Sequence, residues 1–497
     1  MPLNALAPSQ APAPSRRLAD LPSPPRLPLV GNVISLRPGR AHRVYEAWHA
    51  RYGAAFVTHF GRWPVLALSD GDAIATILRE RPDGFRRIRT LERVMREMGL
   101  PGVFNAEGED WRRQRKLVMH ALDARRVEAY WPTLRQVTAR LVARWQRAAD
   151  AGGAGGAGGA GGAGGAGGMS EPIDVQRELM RYTVDVTTGL ALGRDFNTLD
   201  AVDDAVQRDI ERIFVAMNRR MNAPLRWWRH VRLPSDRALD AALARLRAMT
   251  AELAQAARAR LAQDPRPRNL LEALIVASQE CAADGTPGLA DDELFGNVVT
   301  ILLGGEDTTA NTLSWMLHYL TLHPRVMEHA RDEADAVIGE GGMPASYADL
   351  GRLPWIDAVA AEAMRLRPVG PLLAWEANRD CVLAGVDVPA RTSIVTLMRP
   401  EAISDRNFTD AAAFRPERWL DNAPLSPHDP KASLPFGAGP RFCPGRRLAM
   451  AEIRLATAAL LHAFDIERAC PGQIEEAYAV TMMPVGLKLR VRRRGCR

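Results

Sequence analysis

A segment near the C-terminus contains residue types that could do chemistry. The sequence FGAGPRFCPG carries Phe436, Gly439, Arg441, Cys443 and Gly445 in the spacing F-x-x-G-x-R-x-C-x-G, and a helix-like run follows it. Backbone N–H groups and the helix dipole at a helix N-terminus stabilise a nearby thiolate. The segment therefore predicts an activated cysteine held in a tight, glycine-containing loop.

A lone activated cysteine has three interpretations: a buried inert residue, a nucleophile, or the axial ligand of a haem. A nucleophile would need a local base, but the neighbours are Arg441, Arg446 and Arg447, which suit acidic groups such as propionates or the carboxylates of a partner. The ten-residue pattern argues against the inert interpretation.

The elements that must position this cysteine are mainly helices. Residues 291–322 contain no proline and predict one helix of about 48 Å. In its middle stands GGEDTT, residues 304–309, and each glycine there costs about 1 kcal/mol relative to alanine. Two interpretations stay open: close helix packing with Thr308 bonded back to the carbonyl of Gly304, or a functional space beside the glycines.

Two further pairs could hold charge. Glu362 and Arg365 stand one helical turn apart and can pair, while Trp111 and Arg115 lie on one helix face and can both donate to a carboxylate. Alone, either pair is more often a solvated or core position than a site.

Together, these motifs resemble the cytochrome P450 family of haem-thiolate monooxygenases. The cysteine segment matches the family signature at all five named positions, and FRPERW at residues 414–419 follows the E-x-x-R pair in the expected order. The resemblance implies a mainly α fold with minor β. In that fold a helix-rich triangular prism surrounds a long central I helix, accompanied by small β-sheets.

The resemblance also implies a set of site residues. Cys443 would bind the iron of a haem b, and Asp307 and Thr308 would orient and supply protons for oxygen chemistry. The remaining cofactor-binding residues would be Trp111, Arg115, Gly304, Phe436 and Arg441, and the structural triad would be Glu362, Arg365 and Arg418.

One propionate contact is left open by the sequence. The family commonly places a basic residue in the strand after the E-x-x-R helix, where this chain has Trp375. Arg379 follows on the same strand parity but further along.

The implied function is insertion of one atom of O2 into a lipophilic substrate by hydroxylation or epoxidation. The sequence contains no Rossmann fingerprint, flavin extension or iron–sulfur cysteine set, so electrons should come from a separate ferredoxin or flavodoxin with its reductase. Two alternatives remain: a peroxide-driven oxygenase and a non-catalytic haem-binding or sensor protein. The basic residues expected to dock the partner are Arg112, Arg113, Lys116, Arg446 and Arg447.

The same resemblance predicts which segments line the substrate pocket. They are mostly apolar, as a lipophilic substrate requires, and comprise residues 85–104, 213–228, 369–374 and 482–485 with Ile301 and Thr312.

Composition excludes several other classes. The chain of 497 residues has a net charge of +7, but its basic residues are spread among acids, so we expect no nucleic-acid interface. Five cysteines without a C-x-x-C pair argue against a disulfide framework or a thiolate zinc site. The first twenty residues lack a signal-peptide core, and we expect a cytoplasmic monomer without a membrane anchor.

The domain organisation predicted from sequence is simple. Residues 1–40 form a Pro-rich arm and residues 41–497 a single domain. Within it, AGG is repeated six times at residues 151–168, which predicts a flexible insert. The insert could mark a domain boundary or a lengthened loop, and the loop is favoured because no chemistry segregates to one side of it. Strands are expected within residues 51–68, 382–390 and 393–398.

Overall fold

The computed structural model describes residues 15–495, except 38, 156–167, 202–204, 224–225, 284, 286 and 422–424. The first fourteen residues of the expected arm, most of the AGG insert and Cys496 therefore lie outside the described residues.

Helices make up most of the described chain. They are α1 Ala41–Tyr52, α2 Gly71–Arg79, α3 Arg89–Glu97, α4 Gly108–Ala121, α5 Ala124–Ala129, α6 Trp131–Gly155, α7 Val175–Leu192, α8 Ala205–Asn222, α9 Pro234–Leu261, α10 Leu270–Ala283, α11 Asp291–Leu322, α12 Pro324–Ile338, α13 Pro354–Leu366, α14 Arg399–Ala402 and α15 Arg446–Ala463.

The strands are short and form small sheets. They are β1 Arg16–Arg17, β2 Ala55–Phe60, β3 Trp63–Leu68, β4 Phe85–Arg87, β5 Ile173–Asp174, β6 Leu372–Ala377, β7 Cys381–Leu383, β8 Val386–Val388, β9 Ser393–Leu397, β10 Phe464–Arg468, β11 Glu475–Tyr478, β12 Met482–Val485 and β13 Lys488–Arg493. The largest sheet has the order β2-β3-β9-β6-β4, and only its β3–β9 pair is parallel. All three predicted strand regions are confirmed.

The long helix α11 has the predicted bounds and joins the two main helical cores. At its start, the Glu293 carboxylate accepts from the backbone N–H of Ala290 at 3.0 Å, and at its end Pro324 begins the next helix. Its N-terminal part, up to Leu303, packs with α4, α9 and α10, whereas the part from Ala310 packs with α6, α7, α13 and α15. The GGEDTT motif lies between the two cores.

The helices on either side of the AGG repeat pack against each other. The Arg144 guanidinium on α6 donates to the Glu178 carboxylate on α7 at 2.9 Å, and the Thr138 and Tyr182 hydroxyls lie 3.0 Å apart. Helix α6 continues to Gly155, so residues 151–155 of the repeat are helical. Extending a formed helix adds one hydrogen bond per residue without a new nucleation step, which carries α6 into the repeat.

None of the helices within the described ranges combines the length and apolar composition that a membrane span requires.

Candidate active site

The cysteine loop is shaped by backbone contacts. The Cys443 N–H donates to the Phe436 carbonyl at 2.9 Å, and α15 begins three residues later at Arg446. Gly439 has a φ of +69°, and a Cβ there would lie 2.2 Å from the Leu78 carbonyl oxygen. A side chain at this position would therefore collide with backbone, which explains why the loop requires glycine.

Opposing effects act on the Cys443 thiol. Burial raises its pKa, while the backbone N–H groups of Gly445 and Arg446 and the positive charge of Arg115 act in the opposite direction. The N–H groups at the helix start favour the thiolate as predicted, but the effect of burial on the pKa is larger. A metal ion bound to the sulfur would reverse this balance, since a coordinating thiol loses its proton.

A cluster of guanidiniums surrounds the loop. The Arg441 Nη2 atom donates to the Glu107 carboxylate and to the Ala106 carbonyl, both at 2.7 Å, and its guanidinium lies 4.5 Å from the Trp111 ring centroid. The Arg115 Nη2 atom donates to the Phe442 carbonyl at 2.6 Å.

Two further arginines, Arg81 and Arg87, belong to this cluster, and some of its guanidinium N–H groups lack a hydrogen-bond acceptor. Arg81 is 3% exposed and lies 4.1 Å from the Trp375 ring centroid, while Arg87 lies 3.8 Å from the Phe104 centroid. Burial and repulsion from Arg87 and Arg441 lower the pKa of Arg81 to about 8.

The unsatisfied donors indicate what this cluster is built to bind. Among the described residues, Arg81 Nε and Nη2, Arg87 Nε and Arg441 Nε are buried without a hydrogen-bond partner. Leaving buried guanidinium donors unpaired is costly, so the arrangement favours an anionic group with several acceptor oxygens in addition to the Glu107 carboxylate. The two propionates of a haem fit this requirement.

Arg81 and Arg87 are not identifiable from the sequence, because neither belongs to a motif. The only available signal was an arginine-rich stretch, RERPDGFRRIR, at residues 79–89. The structure also places the two residues considered for the open propionate contact. The Trp375 indole donates to Thr396 at 3.0 Å and offers its ring face to Arg81, whereas Arg379, with its side chain 69% exposed, pairs with Glu80 at 3.1 Å.

Replacing Arg81 by leucine should have opposite effects on the two forms of the protein. The haem-free form should be as stable as wild type or more stable, because a buried, unpaired cation is removed. The holoenzyme should release haem about tenfold to a hundredfold faster, because a hydrogen bond to a charged group contributes about 1.5–3 kcal/mol. Transfer of haem to apomyoglobin measures the release rate, and chemical denaturation measures the free energy of unfolding. The control is Arg379→Leu, and equal rates in all three proteins would contradict the assignment.

The two glycines of the GGEDTT motif in α11 have different surroundings, which fit the two interpretations left open by the sequence: close helix packing and a space beside the glycines. A Cβ at Gly305 would lie 2.3 Å from Thr187 Cγ2, so this glycine allows close packing with α7. A Cβ at Gly304 would meet nothing within 4 Å, and Gly304 is exposed although Leu302 and Leu303 before it are buried. The Thr308 hydroxyl donates to the Gly304 carbonyl at 2.7 Å. Gly304 and Thr308 therefore lie on a part of α11 that neighbouring side chains leave uncovered.

The neighbouring carboxyl of Asp307 is 9% exposed and faces Asn311 and Thr481. Burial raises its pKa, and the hydrogen bonds from Thr481 and Asn311 offset this effect only in part. Asn311 and Thr481 were not identified from the sequence, since a contact between residues 307 and 481 leaves no local pattern.

The predicted triad is assembled and extended. The Glu362 carboxylate accepts from Arg365 Nε and Nη2, both at 2.8 Å, and from Arg418 Nε at 3.0 Å. It also accepts from the Trp419 indole and from the Arg415 backbone N–H, both at 2.9 Å. All three triad side chains are fully buried.

This fold and site define a haem-thiolate enzyme. A family model described as "Cytochrome P450" matches residues 21–491. The chain belongs to the cytochrome P450 family, and the enzyme is accordingly an oxidoreductase that incorporates oxygen from O2, with a haem held by a cysteine thiolate.

Curated relatives share the family. Human mitochondrial 25-hydroxyvitamin D-1 alpha hydroxylase is 28% identical over 91% of this chain and 88% of its own. Human cytochrome P450 3A5 is 26% identical over 90% of this chain and 85% of its own. A self-sufficient cytochrome P450 monooxygenase of Aspergillus niger is 26% identical, and the match spans only 43% of that relative.

Solved structures share the fold. The crystal structure of the cytochrome P450DA heme domain has a TM-score of 0.82 at 22% identity, covering 97% of this chain and 99% of that one. That of the cytochrome P450 CYP102L1 has a TM-score of 0.80 at 22% identity, covering 97% and 100%. The expected mainly α fold with small sheets is confirmed.

Proposed function

We propose that Cys443 is the axial haem ligand and that the chain is a monooxygenase for a lipophilic substrate. The observation that carries the proposal is the cluster of buried guanidiniums with unused donors around a cysteine at a helix start. When bound, the haem supplies oxygen activation with two electrons and transfer of one oxygen atom to the substrate.

The protein residues hold and orient this group. Arg81, Arg87, Arg115 and Arg441 would bind the propionates, and Trp111 supports Arg441 through its ring face. Phe436 fixes the backbone of Cys443 through its carbonyl.

On α11, the uncovered surface at Gly304 would provide the space in which O2 and substrate meet. Asp307 and Thr308 move protons there, with Thr308 oriented by its bond to the Gly304 carbonyl.

The substrate is a lipophilic molecule bound along the segments predicted from the sequence. Within the segment of residues 213–228, residues 224–225 lie outside the described residues. Phe85 is an exception, because it packs in the core of the largest sheet. Ile301 and Thr312 flank Gly304 and Thr308 on α11, which supports a pocket along this face of the helix.

Electrons come from an acidic ferredoxin or flavodoxin with its reductase, docked beside the cysteine loop. Lys116, Arg446 and Arg447 are exposed and support this role, as does Arg112, although it pairs with Asp83 and Glu109. Arg113 does not support the docking role, because its side chain is only 17% exposed and pairs with Glu293 on α11.

The proposed enzyme is a cytoplasmic monomer whose residues 41–497 form one domain behind the Pro-rich arm. The ion pair between Arg144 and Glu178 across the AGG repeat supports a lengthened loop in that domain. At Gly152 a Cβ would lie 2.4 Å from the Met169 carbonyl, so the chain leaves and returns at nearly the same point.

The test is a Thr308→Val variant supplied with a surrogate ferredoxin and reductase. Reductant consumption should continue, while product formed per electron pair should fall at least tenfold and hydrogen peroxide should rise, because proton delivery contributes about 10²–10⁴-fold. Thr321→Val is a matched control, since Thr321 makes the same back-bond to residue 317 at 3.0 Å on the same helix. Wild-type product yields supported only by peroxide would favour the peroxide-driven alternative, and no product in either case would favour a sensor.

A further inference from the structure

The Asp307 carboxyl is held in a closed triangle of polar groups. The Thr481 hydroxyl donates to Asp307 Oδ2, and Asn311 Nδ2 donates to Asp307 Oδ1 at 3.0 Å. Asn311 Nδ2 also lies 3.1 Å from the Thr481 hydroxyl. Asn311 is 0% exposed and Thr481 6%, so this arrangement is shielded from bulk water.

Gln176, at the start of α7, orients the amide of Asn311. Its Nε2 atom donates to Asn311 Oδ1 at 3.1 Å and lies 3.0 Å from the sulfur of Met483. Because an amide has one accepting and one donating end, a donor on Oδ1 forces Nδ2 to face Asp307. The direction of the triangle is therefore set from outside α11.

The same triangle is attached to the proposed wall of the substrate pocket. Thr481 directly precedes β12, and the Met482 N–H donates to the Val369 carbonyl at 2.8 Å. Both segments, residues 369–374 and 482–485, are proposed to line the pocket. A substrate that displaces this wall would therefore displace the hydroxyl that holds Asp307.

We propose that Thr481, with Asn311 and Gln176, is a set of positioning residues that couples occupancy of the substrate pocket to the orientation of the Asp307 carboxyl. The inference rests on the proposed role of Asp307 in proton delivery. Its consequence is that the proton-supplying group responds when the pocket is filled and returns to the triangle when it is empty.

The experiment is infrared difference spectroscopy of the ferric holoenzyme with and without 4-phenylimidazole, a compound that fills the pocket by binding the iron. The Asp307→Asn variant identifies the carboxyl band, and Glu306→Gln removes the neighbouring buried acid. In wild type the probe should shift the Asp307 band. In Thr481→Val the band should no longer respond, and a pH titration should show about tenfold higher proton affinity for Asp307, because a hydrogen bond to the charged form is lost.

Thr481→Ser is the conservative control and should restore both properties, since it returns the hydroxyl. A wild-type Asp307 band that ignores the probe, or a Thr481→Val band that responds as in wild type, would overturn the coupling. Failure of the proposed function gives a different result, because the protein would then lack the spectrum of thiolate-ligated haem altogether.

Discussion

Cys443→Ala is expected to abolish the strongly red-shifted Soret band that the dithionite-reduced protein should show with carbon monoxide. The band reports a thiolate on the iron, and Cys443 is the cysteine whose thiol is influenced by the positive charges of Arg115 and Arg446. The loop should survive the substitution, because its defining contact, from Cys443 N–H to the Phe436 carbonyl, uses only backbone atoms. The variant should therefore fold, retain less haem and lose electron transfer to O2.

The matched control is Cys470→Ala, which removes a half-buried cysteine whose sulfur lies 3.4 Å from Arg468 Nε. Its reduced carbon monoxide spectrum should equal that of wild type. A red-shifted band that persists in Cys443→Ala would reject the ligand assignment, and a band lost only in Cys470→Ala would assign the ligand to Cys470.

The sequence predicted features that are encoded locally. The bounds of α11 follow from an uninterrupted run without proline, an acid three residues inside the start and a proline after the end. The cysteine loop was equally readable, because its glycines and its cysteine occupy fixed positions within ten residues. In both cases one segment contains all the information that its geometry needs.

Contacts between distant segments could not be read in this way. Arg81 meets Arg441 only because α2 ends beside the cysteine loop, and Thr481 meets Asp307 only because β12 begins beside α11. The pairing of Arg113 could not be predicted for the same reason, since its partner Glu293 lies on another helix. A side chain's availability depends on such partners, which residue type and spacing do not reveal.

A second large effect is expected from Glu362→Gln, which should lower the free energy of unfolding by about 3–5 kcal/mol and reduce the yield of haem-containing protein. Burial alone would raise the pKa of Glu362, but the hydrogen bonds and charge of Arg365, with help from Arg415 and Trp419, hold it below the ordinary value. The substitution leaves the buried guanidiniums of Arg365 and Arg418 without a counter-ion. Breaking a buried pair costs about 3–5 kcal/mol, a large part of a typical stability of about 5–15 kcal/mol.

The pH dependence of stability provides an independent check of this triad. Because the folded-state pKa of Glu362 is lowered, its contribution is fully present above the unfolded-state pKa and is lost as pH falls through the folded value. Acid denaturation of the variant should therefore lack this component. Glu417→Gln is the control, since its pair with Arg415 is about one-third exposed and should change stability by at most about 1 kcal/mol. Equal urea midpoints for the two variants would show that the buried charge of Glu362 does not stabilise this region.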